Sequence, residues 1–167
     1  MYNELTRKDI EKMQAELDDR TINQRPLLLE EVKRCREFGD LSENFEYKEA
    51  KRARSRNESR IRYLQRMINT ARVIEDNSDE GTVGLYDLVG VYLPEDDEVE
   101  YYRVVTTVRI DLNAGLISKE SPLGKLLLGK HVGDKFTVVV SDQYSYEAEI
   151  RSIEKGEDDG SAKLMEY

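Results

Sequence analysis

The residue types that most often build catalytic and metal centres are scarce in this chain. Its 167 residues include one cysteine, Cys35, and one histidine, His131. One of each excludes a zinc site built from histidine and cysteine. A lone cysteine cannot form an internal disulfide, and it fits a reducing, cytoplasmic setting. A Ser-His-Asp triad would have to use His131, and nothing near it in the chain supports one. No apolar run approaches the roughly twenty residues needed to span a bilayer. The opening MYNELTRKDIEKM has no apolar signal-peptide core, so no membrane association is expected.

Charge, by contrast, is plentiful. Charged residues make up 37% of the chain and hydrophobic ones 38%, a balance that suits long solvated helical faces better than one large globule. The net charge of −9 argues against generic nucleic-acid binding, but it hides an asymmetry. Residues 1–75 hold 17 Lys/Arg against 15 Asp/Glu, whereas residues 76–167 hold 9 against 20. Within residues 48–72 there are nine basic residues and two acids, Glu49 and Glu58. The basic charge is therefore concentrated on one helix and the acidic charge in the other half.

Apolar periodicity divides the chain. Thr6 and Asp9 have capping-box spacing and open a first helix. Ile10, Met13, Leu17, Gln24, Leu28, Val32 and Cys35 then recur at three- and four-residue steps, with a gap near Arg20 and Thr21. Gly39 is the stop. A second stripe follows in Tyr47, Ala50, Arg54, Asn57, Ile61, Leu64, Ile68 and Ala71. Two such stripes joined by a few residues predict an antiparallel coiled-coil hairpin over 1–75, each arm about 45 Å long. Pro26 should kink the first arm. Residues 76–84 read as a linker beginning at DNSDEG.

Beyond it the pattern is β-rich. Strands are expected at 88–93, 100–108, 115–118, 135–140 and 144–153, with a turn at PEDDE and a short helix at 121–129 opened by Ser121 and Pro122. Residues 85–153 are read as a small antiparallel β-sheet domain with one short helix. The chain is thus of the α+β class, and the acidic segment 154–167 reads as a mobile tail.

The connection between the helices, FGDLSENFEY, carries more acid than a turn needs. Asp40 and Glu43 have capping-box spacing, with Asp40 as N-cap, and negative charge there is worth about 0.3–1 kcal/mol. The same two carboxylates lie on one face of a helical turn and suit a hard cation such as Mg²⁺, which would need further ligands from a partner. Behind them, Lys51, Arg52 and Arg56 read either as a solvated face or as a salt-sensitive contact to phosphates. Leu123, Leu126, Leu127 and Leu128 are too many for one face of a short helix, so some are expected on the surface. Tyr47 reads as a seam residue near Cys35, Asn44 as support for the tip, and His131 as structural.

With these residues in hand, the chain resembles the Gre family of bacterial transcript cleavage factors, over roughly residues 5–153. GDLSENFEY matches the family's tip motif, and EAKRARSRNESRI follows in register. LISKESPLGKLLLGKHVGDKFTV matches its second hallmark. The resemblance implies a coiled-coil hairpin followed by an FKBP-like domain. It also implies that the hairpin enters the secondary channel of RNA polymerase and stimulates endonucleolytic cleavage of backtracked nascent RNA. On that reading the protein is a cofactor of polymerase, not an enzyme, and acts as a monomer. Asp40 and Glu43 would help to hold a second Mg²⁺ shared with polymerase and to position water. Gly39, Asn44 and Tyr47 would support the tip, and Lys51, Arg52 and Arg56 would face the RNA 3′ segment. Asp111, Ser121 and Pro122 would dock on polymerase. A channel binder that inhibits without cleavage is the alternative. The chain departs from the family in a more basic second helix, in VVTTVRIDLNAG, and in the acidic tail.

Overall fold

The structure, a computed structural model, describes residues 3–38 and 44–166. It divides into two compact units, one of residues 9–72 and the other of residues 4–8 and 73–166. The α+β class holds for the described residues, with helices in the first half and a five-stranded sheet in the second.

Helix α1 (Arg7–Asp19) begins directly after Thr6, passes into a π-helical segment (Arg20–Gln24), and continues as α2 (Arg25–Arg36). Helix α3 (Phe45–Asn69) packs against α2. Short strands β1 (Asn3–Leu5) and β2 (Ala71–Val73) pair with each other. The π segment explains both the gap and the proline. Arg25 N–H bonds Arg20 C=O, five residues back, and Pro26 falls in the first turn of α2, where a missing N–H costs little. The extra residue also shifts the seam. A seven-residue repeat through Ile10, Leu17 and Gln24 would continue to Glu31, but Glu31 is exposed and the seam resumes at Val32 and Cys35.

Of the expected seam positions, Met13, Cys35, Ala50, Ile61 and Leu64 are buried, whereas Arg54 is exposed. The arginine that enters the seam is Arg60. Its guanidinium forks onto Glu16 at 2.8 and 2.9 Å, and Glu16 also accepts from Arg20 Nε at 2.7 Å. Asn57, buried opposite, accepts from Arg20 Nη1 at 3.1 Å and donates to the Arg20 carbonyl at 3.3 Å. A polar layer thus satisfies the irregular backbone of the π segment from across the arm. Burial raises the Glu16 pKa, but the hydrogen bonds and charges of Arg60 and Arg20 outweigh it and hold the carboxyl below its ordinary value.

The second unit is a sheet in the order β5-β4-β3-β7-β6, with β3 at Leu88–Leu93, β4 at Glu98–Val105, β5 at Leu116–Ser118, β6 at Lys135–Ser141 and β7 at Tyr144–Glu154. Neighbours are antiparallel except β4 and β5, which are parallel, so the expected all-antiparallel sheet is corrected at one edge. The connection enters β5 through a 3₁₀ turn at Leu112–Ala114, capped by the Asp111 side chain and closed by Gly115 at φ 71°. Alternating Phe136 and Val138 of β6, Ala148 and Ile150 of β7, and Val89 and Val91 of β3 point into one apolar core.

Helix α4 (Pro122–Leu127) adds Leu123 and Leu127 to that core. Leu126 and Leu128 pack against it half-buried, which corrects the expectation that some of the four leucines lie on the surface. The reason is that the chain leaves the helix at Leu128 (φ −57°, ψ 128°), which frees that side chain from the helical face. Gly124 is required by close approach: a Cβ there would stand 2.0 Å from the Ser118 carbonyl oxygen.

The segment expected to be a mobile tail is held along its length. Buried Asp87 accepts from Lys155 Nζ at 2.6 Å and from Gly156 N–H at 2.9 Å. The fully buried guanidinium of Arg109 donates to Asp158 at 3.1 Å and to the Ala162 carbonyl, and Met165 N–H bonds Val108 C=O at 2.8 Å. These anchors lie some fifty or more positions away, where no local composition could show them.

Candidate functional site

The far end of the helical unit is fixed by Asn44. It stands in extended conformation at the N-cap of α3 and accepts from Tyr47 N–H at 2.9 Å, while its amide donates to the Cys35 carbonyl at 2.8 Å. One side chain therefore starts α3 and ties it to the last turn of α2. This corrects the assignment of the cap to Asp40. Gly39, Asp40 and Glu43 lie outside the described residues. Tyr47 is half-buried, as expected of a seam residue, with the Lys51 ammonium 5.3 Å from its ring centroid. Cys35 is buried, and burial, then Glu31, push its thiol pKa up.

The three expected RNA-facing cations are exposed but do not form one patch. Arg52 and Arg56 both meet Glu49, at 3.7 and 2.9 Å, whereas Lys51 lies over Tyr47 on the neighbouring face. The Arg56 hydrogen bond holds Glu49 below its ordinary pKa, against the opposing effect of burial, with Arg52 adding to it. Sequence periodicity missed two exposed rings beside the tip. Phe38 is 68% and Phe45 81% exposed, with Arg34 and Lys48 over their respective faces at 5.7 and 5.5 Å. The signal was present in FGDLSENF, where aromatics flank a motif too short to contain a core.

The expected docking residues occupy one region of the sheet unit. Ser121 Oγ donates to the Ser118 carbonyl at 2.7 Å and accepts from Gly124 N–H at 3.0 Å, so it caps α4. Pro122 is exposed at the first position of α4. Both line an apolar groove of about 310 Å³ with Ile110, Leu112, Val140 and Tyr146. Asp111 does not line it; its carboxylate caps the 3₁₀ turn that carries Leu112 to the groove. Leu112 is 75% exposed and Val140 51%, side chains that the strand pattern alone did not single out. His131 is exposed, with Nδ1 3.7 Å from Asp134.

Among the described residues no group of three or more His, Cys, Asp or Glu could hold a metal, and no helix is long and apolar enough to cross a membrane. What the two units present is surface: a helical arm with a pinned end, and a sheet domain with an apolar groove. Together they define a class of two-unit proteins in which a helical hairpin precedes a β-sheet domain. Comparison with known proteins gives this class a family. "Transcription elongation factor, N-terminal" matches residues 3–73, and "Transcription elongation factor, GreA/GreB, C-term" matches residues 78–155. The transcription elongation factor GreA of Oenococcus oeni is 37% identical over 152 residues, covering 90% of this chain and 94% of that protein. GreA of Staphylococcus carnosus is 35% identical over 150 residues, with coverage of 90% and 94%. GreA of Chloroherpeton thalassium is 42% identical over 133 residues, covering 78% of this chain and 83% of that protein. A crystal structure of GreA factor homolog 1 of Thermus thermophilus aligns over 93% of this chain and 100% of that one, at 24% identity and a TM-score of 0.43. The chain belongs to the GreA/GreB family of transcription elongation factors.

Proposed function

We propose that this elongation factor inserts its helical arm into the secondary channel of RNA polymerase and stimulates endonucleolytic cleavage of backtracked nascent RNA. What supports this reading is that the sequence carries Asp40 and Glu43 between α2 and α3, two helices packed side by side and tied by Asn44. Carboxylates at such a point can be delivered into another protein's active centre. They are hard oxygen donors of the kind Mg²⁺ prefers, and two are too few to hold it. On this reading polymerase supplies the missing ligands. Asp40 and Glu43 would be among the ligands of a shared Mg²⁺, which when bound would supply water activation and charge stabilisation at phosphorus.

Asp40 and Glu43 contribute charge and orient the attacking water. Gly39, Asn44 and Tyr47 hold the connection, and Lys51, Arg52 and Arg56 attract the extruded RNA through its phosphates. The groove at Ser121 and Pro122, with the Asp111-capped turn beside it, docks the sheet unit on polymerase. The factor completes a hydrolytic site owned by polymerase and acts as a cytoplasmic monomer. The test is a stalled, backtracked elongation complex with end-labelled transcript in Mg²⁺. The wild-type factor should shorten the transcript to a product that can be re-extended. Asp40→Asn should abolish shortening while polymerase binding persists. Slowed elongation without shortening would mean that the arm blocks the channel instead.

A further inference from the structure

One feature beside the tip has no part in capping, seam packing or the acidic pair. Phe45, in the first turn of α3, is 81% exposed. A ring at the end of a narrow arm has no core to enter, and leaving it in water forgoes the stabilisation that burial would give. Its surroundings indicate what it meets. Lys48, Arg52 and Arg56 stand three, seven and eleven positions further on and share its helical face. Glu49 offsets part of that charge through Arg52 and Arg56, at 3.7 and 2.9 Å, whereas the Lys48 ammonium lies 5.5 Å from the Phe45 ring centroid. An aromatic anchor for a protein pocket usually sits where charge is depleted. An aromatic followed by a line of cations is instead the arrangement that binds single-stranded nucleic acid: the ring takes a base and the cations follow the phosphates, without regard to sequence.

We propose that Phe45 is a stacking platform for a base near the 3′ end of the extruded RNA, with Lys48 and then Arg52 tracking its backbone. The inference rests on the reading that the arm meets backtracked RNA. It adds the contact that would hold the strand while Asp40 and Glu43 act. Phe45 is a positioning residue: it touches the RNA away from the bond that is cut.

The experiment uses the full chain on a backtracked complex whose transcript ends in 4-thiouracil. Photo-cross-linking to the factor is read beside cleavage and beside affinity for polymerase. Phe45→Ala and Phe45→Leu should both lower the cross-link yield, and cleavage at limiting factor, by roughly five- to a hundred-fold. Phe45→Trp should restore both, and polymerase affinity should not move. Full activity of Phe45→Leu would overturn the proposal, because a greasy side chain would then suffice. Lost polymerase affinity in Phe45→Ala would overturn it in favour of a pocket in the partner protein. Absence of any cross-link from the wild-type factor would also overturn it. A Phe45-dependent cross-link without cleavage would sustain the stacking contact and remove the cleavage reading. Cleavage with a cross-link indifferent to Phe45 would do the reverse.

Discussion

The two units are held together in different ways. The sheet unit has a continuous apolar core in which Val89, Val91, Val104, Val105, Leu127 and Ile150 are fully buried. The helical unit has a single seam, and that seam is interrupted by a polar layer of Glu16, Arg20, Asn57 and Arg60. A hairpin of two helices has no third layer to widen its core, so apolar burial per residue is limited. An arm can thus trade apolar packing for ion pairs without losing a defined geometry, because every described member of the layer has a partner across or along the arm.

Four changes test that contrast, the first three read by hydrogen exchange resolved along the chain. Leu127→Ala, which empties the centre of the sheet unit, should cost about 2–5 kcal/mol there and leave α2 and α3 protected. Arg60→Met should cost the arm about 1–3 kcal/mol, less than loss of a fully buried partner, because the Glu16 side chain keeps 23% of its exposure. Slowed exchange across the arm in that variant would overturn the role assigned to the layer. The layer also makes the arm sensitive to acid. The folded pKa of Glu16 lies below its ordinary 4.5, so its contribution is complete above that value and is lost as pH falls through the lower one. Glu16→Gln should flatten this acid dependence in the arm and leave the sheet unit's unchanged. Asp158→Asn keeps an oxygen acceptor for the buried Arg109 but removes its counter-charge, and should cost about 1–3 kcal/mol, read as faster proteolysis within residues 156–166.

The fold was largely legible because most of it is local. The 3.6-residue stripe located the helices, alternation located β3, β6 and β7, and Ser121-Pro122 located α4. What escaped was non-local. Arg54 and Arg60 look alike in sequence, and only a carboxylate 44 positions away selects Arg60 for the seam. The cap went to Asn44 rather than Asp40 because Asn44 can serve α3 and reach the Cys35 carbonyl at once. The tail looked mobile because its anchors, Asp87, Val108 and Arg109, belong to other strands and loops. At the candidate site, the acidic motif and the basic helix were readable as types. The grouping of Arg52 with Arg56 apart from Lys51 depended on Glu49, and the exposure of Phe45 depended on where α3 begins.

The π segment before Pro26 has a consequence for aim. One residue more than an α-helix requires turns everything beyond it by about 100° around the helix axis. Cys35, and with it the carbonyl that Asn44 grips, therefore faces α3 only because the π segment absorbs that extra residue. Inserting a further residue within 20–24 would turn Cys35 off the seam, whereas deleting one would restore a plain α-helix with Cys35 still facing α3.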